Sequence, residues 1–98
     1  MDISDKRRFK EAVYAQFARI GKALSSGPRL ELLDVLAQGE RTVAELADLT
    51  GLSVANASQH LQVLRRARLV DPRKAGTYVH YRLTDERVFR PRALGDDG

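Results

Sequence analysis

Two side chains with catalytic potential, Ser58 and His60, lie two positions apart in a segment of helical periodicity. A serine nucleophile needs a base within hydrogen-bond reach, but residues two apart on a helix point to nearly opposite sides. Metal chemistry has little support, because the chain has no cysteine and two histidines, neither at ligand spacing from a carboxylate. No glycine-rich cofactor loop and no paired carboxylates are visible. We predict no enzymatic activity, no metal and no cofactor.

The amide side chains around Ser58 suit a different chemistry. Asn56 and Gln59 can each form two hydrogen bonds with an adenine in the major groove of DNA. On a helix over 54–68, Ala57, Leu61 and Leu64 share one face, together with the stem of Arg68. The other side carries small, polar and basic residues, Ala55, Ser58, Gln59, Gln62 and Arg66, with Asn56 at the flank. Together with Ser53 and His60, these residues are the candidate DNA contacts of the helix.

No acidic residue occurs from Ser53 to Val70. An ordinary surface helix mixes Glu and Lys, so this composition favours a surface that approaches phosphates and bases, with Arg66 contacting phosphate. The alternative is an exposed polar helix that happens to lack acids.

Local signals place this helix among others. A first helix from Asp5 to Leu24 has an apolar stripe, and a second begins at Pro28 and ends near Gly39. Thr42 and Glu45 form a capping box that opens a third helix, in which Val43, Leu46, Ala47 and Leu49 are predicted to face a core. Gly51 suits the left-handed position that ends this helix, and Ser53 can cap the next one.

Beyond Arg68 the pattern becomes alternating and predicts a β-hairpin over 69–83 with its turn near Gly76 and Pro72 on an open edge. Alternation places Thr77, Val79, Tyr81 and Leu83 toward the core and Tyr78, His80 and Arg82 outward. A basic hairpin next to a reading helix can contact the DNA backbone or minor groove. The candidate contacts are Arg73, Lys74, Thr77, Tyr78 and His80. An edge hairpin kept soluble by charge is the competing interpretation.

This order of elements predicts a mainly α fold with a small β-hairpin, a winged helix-turn-helix. We expect one domain over 1–90, with the helix-turn-helix at 42–68 and the wing at 69–83, a further helix starting at Thr84 and a flexible tail over 91–98. The net charge of +4 is unevenly distributed: residues 65–92 carry nine Lys or Arg against three acids. A basic segment attracts the polyphosphate backbone, although a solvated surface explains charge alone equally well.

The stretch from Thr42 to Val70 and the stretch from Arg73 to Asp85 resemble the helix-turn-helix and wing of the ArsR/SmtB repressors. The resemblance covers about residues 17–88, and its most specific part is Ser58-x-His60-Leu61-x-x-Leu64 with the wing pattern. It implies a homodimer that binds a palindromic operator and represses transcription until an inducer releases it. It also implies that His60 contacts a DNA phosphate, which we favour over the alternative of a polar contact inside the fold. The first helix is then expected in the dimer interface, with the stripe Phe9, Val13, Phe17 and Ile20.

Two departures from that family concern sensing. Its metal sensors carry cysteines on the helix corresponding to 42–50, and this segment has neither Cys nor His. Others use an Asp-x-His cluster, but Glu86 and Arg87 follow Asp85 here. We therefore expect neither metal site, and the sequence does not identify an inducer. The N-terminal stretch also resembles regulators in which a sulfurtransferase domain follows the winged helix, so the chain can also be the DNA-binding part of a longer regulator.

Two other functions stay open. A winged helix can serve as a protein-interaction module whose basic face meets an acidic partner. RNA binding through the wing is less favoured, because the stacking aromatics typical of such surfaces are missing. No apolar run approaches the roughly 20 residues that span a bilayer, and the N-terminus turns charged where a signal peptide turns apolar. We therefore expect a cytoplasmic protein.

Overall fold

The computed structural model describes residues 3–85. Four helices and three short strands follow one another in this part of the chain: α1 (Ile3–Leu24), α2 (Gly27–Ala37), β1 (Arg41–Thr42), α3 (Val43–Thr50), α4 (Val54–Arg66), β2 (Val70–Ala75) and β3 (Tyr78–Leu83). The predicted mainly α composition with a β-hairpin is confirmed, and β1 adds a third strand that the sequence did not indicate.

Side-chain caps begin α2, α3 and α4; the caps at Thr42 and Ser53 are those predicted, whereas α2 begins at Gly27, one residue before the predicted Pro28. The hydroxyl of Ser26 accepts from the Arg29 amide at 3.3 Å, and that of Ser53 accepts from the Asn56 amide at 3.1 Å. At α3 the capping box is complete: the Thr42 amide donates to Glu45 at 3.0 Å, and the Glu45 amide donates to the Thr42 hydroxyl at 3.2 Å. These bonds satisfy amides that have no partner within the helix.

The turn between α3 and α4 is a Schellman motif. Gly51 has the predicted left-handed conformation, with φ of 73°. Its amide donates to the Asp48 carbonyl, and the Leu52 amide donates to the Ala47 carbonyl. This tight closure lets α4 start within three residues of the end of α3.

The three strands form one antiparallel sheet in the order β1-β3-β2. Strands β2 and β3 pair from Val70↔Leu83 to Ala75↔Tyr78, and Gly76, with φ of 64°, lies in the turn. Strand β2 is at the edge of the sheet, as predicted from Pro72, whose missing amide hydrogen is tolerated there. Strand β1 pairs with β3 next to His80 and Tyr81, so the hairpin is attached to the entrance of α3.

The core lies where α1, α2, α3 and α4 meet the base of the hairpin. Its largest fully buried side chains are Leu32, Leu46, Leu61, Leu64 and Val70. The cluster is completed by Ala23 of α1, Leu36 of α2, Ala67 and Tyr81 of β3. Helix α4 is therefore held on the body by an apolar face, in the way the sequence predicted.

Five details of the sequence prediction are wrong. Helix α4 ends at Arg66 rather than Arg68, because the chain turns through a second Schellman motif. The Leu69 amide donates to Leu64 and the Arg68 amide donates to Arg65, and Arg68 takes a left-handed φ of 63°. The stem of Arg68 therefore does not extend the apolar face; the half-buried Leu69 packs against the core.

The other four errors are residues that are more exposed than predicted. Leu49 of α3 is 54% exposed, because this eight-residue helix buries only Leu46 and Ala47. Val79 and Leu83 of β3 are 41% and 38% exposed. Thr77 is exposed as well, so only Tyr81 of the predicted inward set is buried.

Two predictions fall largely beyond residue 85. Thr84 and Asp85 are not helical, and the remainder of the helix predicted after them, like the tail over 91–98, lies outside the described residues. The domain limits of 1–90 therefore stay a prediction.

Candidate nucleic-acid interface

The outer side of α4 is accessible along most of its length. Ala57, Leu61 and Leu64 are fully buried under the helix. Of the predicted contact residues, Ser53, Ala55, Asn56, Gln59, Gln62 and Arg66 are exposed, and Ser58 and His60 are half-buried. The helix thus presents three amides, a serine cap and an arginine to solvent, with no carboxylate between them.

His60 makes a polar contact inside the fold. Its Nδ1 lies 3.2 Å from a terminal nitrogen of Arg29. A guanidinium can only donate hydrogen bonds, so Nδ1 is the acceptor and the hydrogen of the neutral ring lies on Nε2. His60 thus makes the polar contact inside the fold that was the alternative to a phosphate contact. Its Nε2 remains available as a donor for a phosphate.

Arg29 of α2 forms hydrogen bonds with both α1 and α4. Besides the contact with His60, its Nε donates to the carbonyl of Ala23 at 2.8 Å and its second terminal nitrogen donates to that of Lys22 at 3.0 Å. These carbonyls belong to the last turn of α1, where a cation is favourable. Arg29 therefore links the end of α1 to the reading helix α4, a role that no local pattern in the sequence indicated.

The wing carries the remaining candidate contacts. Lys74, Thr77 and Tyr78 are exposed and His80 is half-buried. Arg73 forms an ion pair with Glu40, in which its Nε lies 3.1 Å from one carboxylate oxygen and 3.2 Å from the other.

The Arg73 pair has electrostatic consequences. The hydrogen bond from Arg73 holds the pKa of the Glu40 carboxyl below its usual value of 4.5, and the carboxylate raises the pKa of Arg73. Both side chains remain partly exposed, so a phosphate can compete for the guanidinium. No local sequence pattern indicates this pair, since its members are 33 residues apart.

Helix α1 presents part of its apolar stripe to solvent. Phe9 and Phe17 are 67% and 65% exposed, and Tyr14 is 60% exposed. Val13 and Ile20 are half-buried, and Ile20 packs against the core of its own chain. In the predicted dimer stripe, Phe9 and Phe17 are thus exposed to solvent, whereas Ile20 attaches α1 to the core of its own chain.

No group of three or more His, Cys, Asp or Glu side chains within residues 3–85 is placed to hold a metal ion. None of the helices in the same range is both long and apolar enough to cross a membrane.

Comparison with known proteins identifies the family to which this chain is related. The pattern of the bacterial regulatory proteins of the arsR family matches residues 26–71. An HTH-type transcriptional regulator of Mycobacterium tuberculosis, Rv2034, is 42% identical over 92 residues, which is 85% of this chain and 86% of that protein. The chain belongs to the ArsR family.

A further relative of this chain has a solved structure. The homodimeric winged helix-turn-helix DNA-binding domain (fragment 1-100) of Mb0332 from Mycobacterium bovis, a possible ArsR-family transcriptional regulator, superimposes with a TM-score of 0.76. It is 48% identical, and the match covers 81% of this chain and 73% of that one. The winged helix-turn-helix predicted from the sequence is thereby confirmed.

Some relatives are longer than the matched region. The M. tuberculosis regulator Rv0324 is 48% identical over 85 residues, or 87% of this chain, but the match covers 38% of that protein. For KmtR of the same organism the corresponding share is 52%.

Proposed function

We propose that this chain is a sequence-specific, double-stranded DNA-binding transcriptional repressor. The observation that carries the proposal is the outer side of α4: a helix seated by Ala57, Leu61 and Leu64 exposes Asn56 and Gln59 with no acidic residue beside them. The major groove admits one helix, and amide side chains are suited to reading adenine there. The family membership supports the same function, since its relatives are transcriptional regulators.

In the proposed complex, α4 reads base edges and the wing contacts the backbone. Gln59 and Asn56 supply base contacts, and Arg66, Arg73 and the Nε2 of His60 supply phosphate contacts. Ser53, Ala55, Ser58 and Gln62 line the groove, while Lys74, Thr77, Tyr78 and His80 approach the backbone from the wing.

Selection of duplexes from a random pool, followed by affinity measurement at several salt concentrations, tests the proposal. We expect an enriched sequence whose affinity falls steeply with salt, because phosphate contacts release counterions. Gln59→Ala is expected to weaken the preference for that sequence over its mismatched forms, whereas Gln38→Ala, the same change at an exposed position at the end of α2, is expected to leave it intact. No enrichment, or equal behaviour of the two variants, would reject base reading by α4 and favour a protein-interaction module.

We infer that the repressor is a homodimer that binds an inverted repeat. The exposed rings of Phe9 and Phe17 lie on one side of α1, and a second copy of this helix can cover them in a two-fold arrangement. Two reading helices related in this way would enter the groove about 34 Å apart. We place this function in the cytoplasm, with DNA as the partner and with the inducer unassigned.

Mass in solution tests the dimer. We expect twice the chain mass of 11.0 kDa for the unchanged protein and a shift toward the single-chain mass for Phe17→Glu. Ala15→Glu adds the same charge to an exposed position on the opposite side of α1 and serves as the control. If both variants keep the dimer mass, the stripe of α1 is not the interface.

A further inference from the structure

A small cavity lies between α1 and the C-terminal end of α4. Its volume is about 180 Å³, and it is lined by Arg19, Lys22, Val63, Arg66 and Ala67. Three of these five residues are cations and none is acidic. The other two form an apolar floor, since Ala67 is buried and Val63 is half-buried. Positive charge above an apolar floor suits a ligand that has an anionic group and an apolar body.

Arg19 is held in place before any ligand arrives. Its Nε and one terminal nitrogen donate to the side-chain oxygen of Gln16 at 3.1 and 2.9 Å. The same Gln16 donates from its nitrogen to the carbonyl of Ala67 at 3.3 Å. The carbonyls at the C-terminal end of a helix repel an anion. The bond from Gln16 satisfies one of these carbonyls at the end of α4. A pre-positioned guanidinium also loses less conformational freedom when it binds.

The other two cations have no carboxylate partner within residues 3–85. The ion pairs found there are Asp5–Arg8 and Glu40–Arg73, both away from the cavity. The side chains of Lys22 and Arg66 are exposed at its rim. No carboxylate of the described residues therefore compensates their charge, and an anion can bind without displacing one of these carboxylates.

We propose that this cavity binds a small organic carboxylate with an apolar body about the size of a six-membered ring. A cavity of about 150 Å³ in another protein holds benzene, so about 180 Å³ accommodates one ring and its carboxylate. The carboxylate lies among Arg19, Lys22 and Arg66, and the ring lies on Val63 and Ala67.

The site also provides regulation, and this part rests on the proposed DNA-binding function. Arg66 is a proposed phosphate contact, so a carboxylate that engages it competes with the DNA backbone. The bound ligand in addition bridges α1, the proposed dimer helix, and α4, the reading helix. Ligand binding is expected to lower DNA affinity, and DNA is expected to lower ligand affinity by the same factor.

Titration of the ¹⁵N-labelled chain with sodium benzoate tests the site, with sodium chloride keeping the ionic strength constant. We expect saturable shifts of the amide signals of residues 19–22 and 63–67. Benzyl alcohol, which has the ring without the charge, is expected to bind at least about fivefold more weakly, as the loss of a partly exposed charge interaction implies. Equal binding of the two compounds, or shifts spread over the whole surface, would overturn the proposal.

Two matched variants locate the binding. Lys22→Gln is expected to weaken benzoate binding about fivefold, since it removes one charge at the rim. Arg65→Gln removes an exposed charge from the same end of α4 but not from the cavity lining, and is expected to leave binding unchanged. Unchanged binding in Lys22→Gln, or equal weakening in both variants, would reject the cavity as the site.

DNA affinity measured without benzoate separates this inference from the proposed function. If the chain binds its selected duplex but benzoate does not bind the cavity, the anion site is wrong and the repressor function stands. If benzoate binds the cavity but no duplex is bound, the site stands and the regulatory part falls with the proposed function. When both bind, a DNA affinity that does not change at saturating benzoate contradicts the regulatory part.

Discussion

Replacing Leu61 with alanine removes the central apolar contact that seats α4. Leu61 is fully buried between Ala57 and Leu64 on the inner side of this helix. Loss of a buried leucine side chain, with the cavity it leaves, costs about 2–5 kcal/mol. In a domain of this size each kcal/mol lowers the Tm by about 4–8 °C. We therefore expect Leu61→Ala to lower the Tm by about 8 °C or more.

The neighbouring Gln62→Ala is the matched comparison. Gln62 is exposed on the same helix, and a surface change of this kind alters stability by less than about 0.5 kcal/mol. Its expected effect is instead a loss of affinity for the selected duplex. Thermal unfolding followed by circular dichroism at one fixed concentration measures the first effect, since a dimer's Tm depends on concentration. Fluorescence anisotropy with a labelled duplex, well below the Tm, measures the second.

Equal Tm values for the two variants would refute the assignment of inner and outer sides. So would a greater loss of stability in Gln62→Ala than in Leu61→Ala, because the amide side of the helix would then be the packed one.

Four further effects follow from individual contacts. Arg73→Ala is expected to weaken duplex binding evenly across sequences and to reduce its salt slope by about 0.9; an unchanged slope would exclude a phosphate contact. Thr42→Ala removes the cap of α3 and should cost about 0.5–2 kcal/mol in denaturant unfolding, where no change would contradict the capping box. Arg68→Gly relieves a left-handed arginine and should stabilise by about 1 kcal/mol, and destabilisation would argue against that backbone. The hydrogen bond from Arg73 lowers the pKa of Glu40, and that from the Thr42 amide lowers the pKa of Glu45. Both carboxylates therefore stabilise the fold above pH 4.5, and this contribution is lost as the pH falls through their lowered folded-state values. Glu40→Gln should reduce the difference in Tm between pH 7 and acid, and an unchanged difference would contradict the pair.

The features predictable from the sequence are those with a local cause. The capping box at Thr42, the left-handed Gly51 and the cap at Ser53 each depend on residues within four positions of one another, and all three are present. The burial of Ala57, Leu61 and Leu64 follows from helical periodicity alone. These signals were sufficient for the order of the four helices and the hairpin and for the exposed side of α4.

The features that escaped prediction depend on distant residues or on short segments. Arg29 meets His60 across 31 positions, and Glu40 meets Arg73 across 33, so no spacing rule connects them. Strand β1 has two residues, too few for an alternation pattern. Arg68 in a left-handed conformation has no residue-type signal, because glycine or asparagine usually occupies such a position.

Binding of the selected duplex to the ¹⁵N-labelled chain tests the reading role of α4 most directly. We predict that the largest changes in amide signals occur over 53–62, with a second group at the wing over 73–80. A spectrum in which the signals of α4 stay unchanged while the duplex binds elsewhere on the surface would contradict that role.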